Sequence, residues 1–292
     1  MTVTSTTSPA VITEPGVYDL PEDVYHADPV PGGSLSSTGA RRLLPPSCPA
    51  LFRHEQLHPA PPRAAFDFGT AAHKEVLGIG PELAVLEFAD WRTKEARGAR
   101  DEARERGAVP LKRSEYEQVQ AMAAALRAHP VASTVFTAEA GRAEQSLFWQ
   151  DPDTRVVCRA RLDHMPHPAG GRMVVADYKT CASAAPDKVA RAVAEHGYHQ
   201  QAAWYIDGVK ALGLADDVAF LFVFQEKVAP FLVTVVELDW MALDIGGRLN
   251  RSARMTYADC VRSGRWPGYH DDGPVSVSLP TWYEREFEET TR

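Results

Sequence analysis

Arg172-Met-Val-Val-Ala-Asp-Tyr-Lys179 reads as a β-strand that runs out of apolar residues and ends in charge. Residues two apart on a strand point to the same side. Asp177 and Lys179 therefore leave the strand end together, in company with Val175. A carboxylate beside an ammonium can hold a divalent cation and steady a water or an anion. A solvated ion pair at a strand end has the same appearance, so the surrounding text has to choose between them.

Working outward, Glu144–Gln150 reads as a strand, Asp151-Pro-Asp-Thr154 as a turn, and Arg155–Asp163 as the second arm of a hairpin. Pro166–Gly171 is a further turn that leads into the quoted strand. Beyond it, Lys188–Leu212 is expected as one long helix. Val218–Phe224 is a continuous apolar run, as in a strand buried on both faces. Phe231–Leu238 is expected as a strand and Met241–Ser263 as a helix. The order is helix, three antiparallel strands, helix, strand, which is an α/β pattern.

Toward the N-terminus, residues 1–15 are Ser/Thr-rich and expected to be a flexible tail. Gly16–Pro46 is turn-rich around Pro29-Val-Pro-Gly-Gly33, and a capped helix starts within Ser34-Leu-Ser-Ser-Thr-Gly-Ala. A short helix at Pro49–Gln56 and a Pro-rich loop at 59–62 follow. Phe66, Thr70, His73 and Leu77 recur at helical spacing. The 92–106 stretch carries opposite charges four apart, as on a solvated helix face. Glu115–His129 is an amphipathic helix, and the text after Pro267 holds too many turn residues to assign. The expected division is a single domain over 16–265 with an N-terminal helical elaboration and a C-terminal extension over 266–292.

The 292 residues suffice for a sizeable core, and 45% hydrophobic with 24% charged residues is ordinary for a globular chain. No apolar run approaches membrane-spanning length, and no basic region followed by an apolar segment opens the chain. An intracellular protein with no membrane association is expected. Cys48, Cys158, Cys181 and Cys260 are scattered without a C-x-x-C, which argues against a zinc or iron–sulfur site and for reduced structural thiols. The net charge of −8 argues against coating nucleic acid over the whole surface and leaves room for a local basic groove.

The second hairpin strand alternates cleanly. Val156, Cys158, Ala160 and Leu162 face one way, and Val157, Arg159, Arg161 and Asp163 the other. Pairing beside 172–179 would bring Asp163 near Asp177. Two carboxylates in one place repel unless a cation joins them; otherwise they face water separately. Mg²⁺ or Mn²⁺, which prefer oxygen ligands, would suit. His73, in Gly69-Thr-Ala-Ala-His73, is either an ordinary helix residue or a nitrogen ligand, with Gly69 leaving room for close backbone approach. Glu144, opening the first strand, is an edge charge or a further ligand. Gln201 and Tyr205 share a helix face, either as a half-buried surface or as hydrogen-bonding groups for a phosphate, a water or Lys179.

As an ordered set, Gly69-Thr-Ala-Ala-His73, Glu144-Gln-Ser-Leu-Phe-Trp149, Cys158-Arg-Ala-Arg-Leu-Asp163, Asp177-Tyr-Lys-Thr180 and Gln201-Ala-Ala-Trp-Tyr205 resemble the PD-(D/E)xK nuclease superfamily. Within it they look most like RecE-type (exonuclease VIII-like) phage recombination exonucleases. Leu35-Ser-Ser-Thr-Gly-Ala and Ser47-Cys-Pro-Ala-Leu-Phe52 are similar to the N-terminal part of that branch. The literal Pro-Asp is absent, since Ala176 precedes Asp177, and the cysteines of the iron–sulfur relatives are missing.

The resemblance implies a restriction-endonuclease-like core with a mixed central sheet flanked by helices. It implies metal binding by His73, Asp163, Asp177, the carbonyl of Tyr178 and, less directly, Glu144. Lys179 would be the catalytic lysine, and Gln201 and Tyr205 the Gln-x-x-x-Tyr pair. Arg159 and Arg161 would hold flanking phosphates. The implied activity is Mg²⁺-dependent 5′→3′ digestion of double-stranded DNA ends in a bacterial or phage-infected cytoplasm. The product would be a 3′ single-stranded tail for a RecT-like annealing protein, made by a ring-shaped homo-oligomer. A structure-specific endonuclease, a helicase-associated nuclease and a catalytically inactive DNA-binding protein with this fold are the alternatives.

Overall fold

The computed structural model describes residues 11–58, 64–137, 139–167, 171–271 and 273–290. In chain order the elements are β1 (Gly16–Tyr18), α1 (Glu22–His26), β2 (Leu35–Ser36), α2 (Ser37–Arg42), α3 (Pro49–Leu57) and α4 (Ala64–Leu77). Then come β3 (Leu83–Leu86), α5 (Lys94–Glu105), β4 (Val109–Lys112), α6 (Arg113–Ala128), β5 (Gly141–Gln150), β6 (Val157–Pro166) and β7 (Met173–Cys181). The chain continues through α7 (Pro186–His196), α8 (Tyr198–Ala211), β8 (Val218–Glu226), β9 (Val233–Glu237), α9 (Trp240–Ser263) and α10 (Thr281–Thr290).

A mixed sheet is the centre, in the order β1-β5-β6-β7-β8-β9, with β2 alongside β6. The β5–β6 hairpin is antiparallel, β7 and β8 run parallel, and β9 returns antiparallel. Alternation sends the two faces into different cores. Val175, Phe220, Phe222 and Phe224 pack with Val189 and Val193 of α7, Trp204 and Tyr205 of α8, and Ala253 and Tyr257 of α9. Tyr178 and Val223 pack on the opposite side against Ala71 and Ala72 of α4 and Val119, Met122 and Leu126 of α6. β8 is thus buried on both faces, as its apolar run requires. A small parallel pair, β3–β4, stands apart from the sheet.

The decisive irregularity lies between β6 and β7. The β5–β6 ladder runs from Gly141↔Pro166 to Gln150↔Val157, and β7–β8 pair from Met173 to Cys181. Between β6 and β7 the ladder is His164↔Ala176 alone. The edge of β6 that β7 abandons is taken up by β2, through Leu35↔Cys158 and Ser36↔Arg159. Ser36 then caps α2, its hydroxyl accepting the Gly39 N–H at 3.1 Å. The N-terminal elaboration is therefore woven into the sheet, in the wedge where β6 and β7 splay.

Several expectations need correcting. The long helix at 188–212 is two helices, α7 and α8, broken at Gly197, whose left-handed backbone (φ 66°) ends one and starts the next. Ser34 and Leu35 lie ahead of α2, and the first strand begins at Gly141, three residues before Glu144. A Cβ placed on Gly69 meets nothing within 4 Å, so no close backbone approach explains that glycine. Ile12, within the expected tail, is buried, and its N–H donates to the Pro29 carbonyl at 3.0 Å. Residues 1–10, the 59–62 loop, the Phe66 side chain and part of the 166–171 turn lie outside the described residues. β1, α1, β3, β4 and α10 were not anticipated. All four cysteines are free thiols. No helix among the described residues is long and apolar enough to cross a membrane.

α9 crosses α8 at a glycine. A Cβ on Gly246 would sit 2.2 Å from the His199 carbonyl oxygen, whereas one on the adjacent Gly247 meets nothing within 4 Å. Gly246→Ala should cost about 1–3 kcal/mol through overpacking, and Gly247→Ala should be neutral or gain up to about 1 kcal/mol of helix propensity. Urea melts of the two variants test this; equal midpoints would refute the close approach.

Candidate active site

The splay places the candidate residues where the two faces of the sheet meet. Asp163 and His73 come from the α4 side, and Asp177 and Lys179 from the α8 side. Asp163 stands just before His164, whose pairing with Ala176 is the single β6–β7 ladder pair. Its Oδ2 accepts the Tyr178 N–H at 2.8 Å, replacing the strand partner that β6 no longer supplies. The His73 Nδ1 lies 3.6 Å from the same oxygen, and the imidazole hydrogen-bonds to the Tyr178 backbone. Tyr178 itself turns into the α4–α6 core, where its hydroxyl donates to Gln225 Oε1 at 2.6 Å.

Glu144 faces Asp163 across the hairpin, between the ladder pairs Ala143↔His164 and Gln145↔Leu162. Its backbone is left-handed, with φ of 57°. A non-glycine residue in that region costs on the order of 1–3 kcal/mol and persists only where its surroundings impose it. Here the Arg161 guanidinium binds the Glu144 carboxylate. One ligand atom from each of His73, Glu144 and Asp163 lies within 4.8 Å of the others, a spacing that a single cation can bridge. The donor set of one nitrogen and two carboxylates suits a hard or borderline divalent ion.

Asp177 is 1% exposed and is turned away from that trio. Its Oδ1 accepts from Gln201 Nε2 at 2.6 Å, and its Oδ2 pairs with the Lys179 ammonium. Gln201 in turn shares a hydrogen bond with Tyr205, so the Gln-x-x-x-Tyr pair buttresses Asp177. As arranged, Asp177 would join a cation in the trio only by loosening one of these partners.

Charge states follow from this packing. Burial, then the Lys179 charge, lowers the His73 pKa to about 4, so the ring is neutral near pH 7 with a nitrogen free to ligate. Burial, then the Asp177 charge, raises Asp163 well above the usual carboxylate range. Burial opposes the charge on Lys179, but Asp177 and Asp163 outweigh it and hold its pKa above normal. Lys179 is therefore a permanent donor and cannot act as a base. Burial also raises Glu144, against the pull of Arg161.

Arg159 and Arg161 are on the expected face, but intrachain partners occupy both guanidiniums. Arg159 pairs with Asp28 at 2.5 Å and donates to the Ser34 carbonyl at 3.0 Å. Arg161 holds Glu144 and donates to the Leu20 carbonyl at 2.8 Å. Both lie over the buried Tyr25 ring, 5.5 and 5.7 Å from its centroid. In this arrangement they tie α1 to the sheet, and a phosphate contact would have to displace those partners.

Three site residues escaped sequence reasoning. Glu22 of α1 is close enough to couple electrostatically to His73, Arg161 and Glu144. The Tyr198 ring lies 5.1 Å from the Lys179 ammonium. Arg41 of α2 lines a polar cavity of about 200 Å³ that also includes Lys179, Tyr198, Gln201 and Tyr205. Glu22 and Arg41 sit on short elements in turn-rich text. The signal available for Tyr198 was its position three residues before Gln201, one helical turn away.

A mixed sheet between helices, with a strand-end Asp-x-Lys beside a second acidic strand, defines the PD-(D/E)xK nuclease fold. The chain belongs to the family described as "PDDEXK-like domain of unknown function (DUF3799)", whose model matches residues 42–273. A crystal structure of a "Putative exonuclease" from Eubacterium rectale superposes with a TM-score of 0.59, covering 92% of this chain and 98% of that one at 13% identity. That likeness speaks to the fold. No curated protein matches the sequence.

The raised Asp163 pKa predicts a coupling. A protonated carboxyl cannot ligate, so cation binding must expel its proton. Affinity for Mn²⁺, measured by calorimetry from pH 5.5 to 8.5, should rise with pH, with proton release that scales the heat with buffer ionisation enthalpy. Affinity that is flat or falls with pH would contradict this charge assignment.

Proposed function

We propose that the protein is a divalent-metal-dependent deoxyribonuclease acting on the ends of linear double-stranded DNA. The observation that carries the reading is the Lys179 ammonium, held by Asp177 and close enough to couple electrostatically to His73 and Asp163 of the His73–Glu144–Asp163 trio. His73, Glu144 and Asp163 would hold a cation, Mg²⁺ or Mn²⁺, which when bound would supply Lewis acidity toward a phosphoryl oxygen and lower the pKa of a water. Lys179, fixed as a donor, hydrogen-bonds the attacking water or the oxygen on which charge grows. Asp177 keeps that ammonium charged and aimed, and Gln201 and Tyr205 keep Asp177 in place. His73, neutral, contributes a nitrogen without adding repulsion toward the cation.

The ordered motif set, which most resembles the RecE-type branch, supports 5′→3′ exonuclease polarity with a 3′ single-stranded product. The description of the Eubacterium rectale neighbour as an exonuclease agrees with an end-dependent activity. On the same resemblance we assign a cytoplasmic role in recombination in a bacterium or its phage, in a ring-shaped homo-oligomer beside a RecT-like annealing protein. The single test is incubation with linear and circular duplexes labelled at each end, with and without Mg²⁺. Mg²⁺-dependent release of 5′-terminal nucleotides from linear DNA only is expected; cutting of end-free circles would overturn the exonuclease reading.

Lys179→Ala should lower the cleavage rate by about a hundredfold or more, the typical loss of a transition-state donor. Asp177→Ala should do the same by freeing the lysine, while both proteins keep the wild-type circular dichroism spectrum. Wild-type turnover in either variant would remove these residues from the chemistry.

A further inference from the structure

The cavity on the α8 side of Lys179 is built for an anion that the cleavage chemistry above does not use. Its walls carry the hydroxyl residues Ser37 and Thr38, the Arg41 guanidinium, the Lys179 ammonium, Tyr198 and the Gln201 amide. Lys179 has Asp177 as its counter-charge. Arg41 has none: the charged or titratable groups acting on it are Tyr198 and Arg42, with no carboxylate among them, within the described residues. This contrasts with Arg159, Arg161 and Arg254, each matched to a carboxylate.

Arg41 also packs closely over backbone. Its Cδ would lie 2.4 Å from a Cβ on Gly197, the left-handed residue at the break between α7 and α8. The side chain thus lies across a glycine, and any other residue there would push it away. A half-buried guanidinium without an acid, lying over bare backbone, lines the cavity with its donors. Planar paired donors match the two non-bridging oxygens of a phosphate.

We propose that Arg41, with Ser37, Thr38 and Tyr198, grips a nucleic-acid phosphate next to the one that faces Lys179. Arg41 is a positioning residue and touches no reacting atom. This rests on the nuclease reading, and it says which part of the chain fixes the strand's register relative to the cut. The phosphate can be an internal diester or a terminal monoester, since both offer the same pair of oxygens.

The test compares wild type, Arg41→Ala and Arg41→Lys in two assays. The first is calorimetric titration with inorganic phosphate in the absence of nucleic acid and metal. The second is binding of fluorescent linear duplexes, ended in 5′-phosphate or 5′-hydroxyl, in Ca²⁺ over a range of salt. Arg41→Ala should lose phosphate binding, weaken duplex affinity about tenfold or more and flatten the log–log salt slope by about one. Arg41→Lys should keep the slope and recover only part of the affinity. Equal losses on both duplexes assign an internal phosphate, and a loss confined to the phosphorylated end assigns a terminal one. Unchanged affinity and slope in a folded Arg41→Ala protein would overturn the proposal, as would full wild-type affinity for duplex in Arg41→Lys. If wild type cuts no nucleic acid yet binds phosphate through Arg41, the nuclease reading fails and the pocket stands. If wild type and Arg41→Ala cut DNA with equal KM and salt dependence, the pocket fails and the nuclease reading stands.

Discussion

The structure turns on one backbone N–H. Where β6 and β7 part after His164↔Ala176, the Tyr178 amide would be left unpaired inside the protein, at a cost of about 1–3 kcal/mol. Asp163 satisfies it with a carboxylate oxygen at 2.8 Å. That bond fixes the carboxylate at the mouth of the splay, within reach of His73 from α4 and Glu144 across the hairpin. It also pins the strand segment from which Asp177 and Lys179 emerge. The opening of the sheet and the gathering of charge are the same event.

The gathered charges are unequal in their comfort. Asp177 has Lys179 and Gln201, and Glu144 has Arg161. Asp163 is buried beside the Asp177 charge, and together these outweigh Lys179 and the Tyr178 amide and hold its pKa well above the usual carboxylate range. Two carboxylates and an imidazole drawn together at mutual distances below 4.8 Å make the kind of site that a divalent cation stabilises most. The strained backbone at Glu144 points the same way, because the fold spends conformational energy to present that carboxylate.

Much of this was legible in the sequence because it is periodic. Strand alternation grouped Arg159, Arg161 and Asp163 on one side of β6 and, separately, Asp177 with Lys179 on one side of β7. Helical spacing put Gln201 and Tyr205 on one face, and the hairpin turn at 151–154 implied that β5 and β6 were neighbours. Periodicity gives a side chain's direction but not its partner. It therefore set Arg159 and Arg161 on the correct face without revealing that Asp28, Glu144 and the carbonyls of α1's flanks already occupy them. The same limit hid Arg41 and Glu22, whose places depend on the pairing of two-residue β2 with β6 and the packing of five-residue α1. Gly197 could have announced the break at 196–198, since a glycine inside a helical run is where a left-handed cap fits.

The central claim is that His73, Glu144 and Asp163 together hold one divalent cation beside Lys179. Anomalous diffraction from crystals soaked in Mn²⁺ addresses it most directly. A peak within bonding distance of all three residues, abolished in Asp163→Asn, is the predicted result. A Mn²⁺ peak seated elsewhere, or bound equally well without the Asp163 carboxylate, would contradict the account.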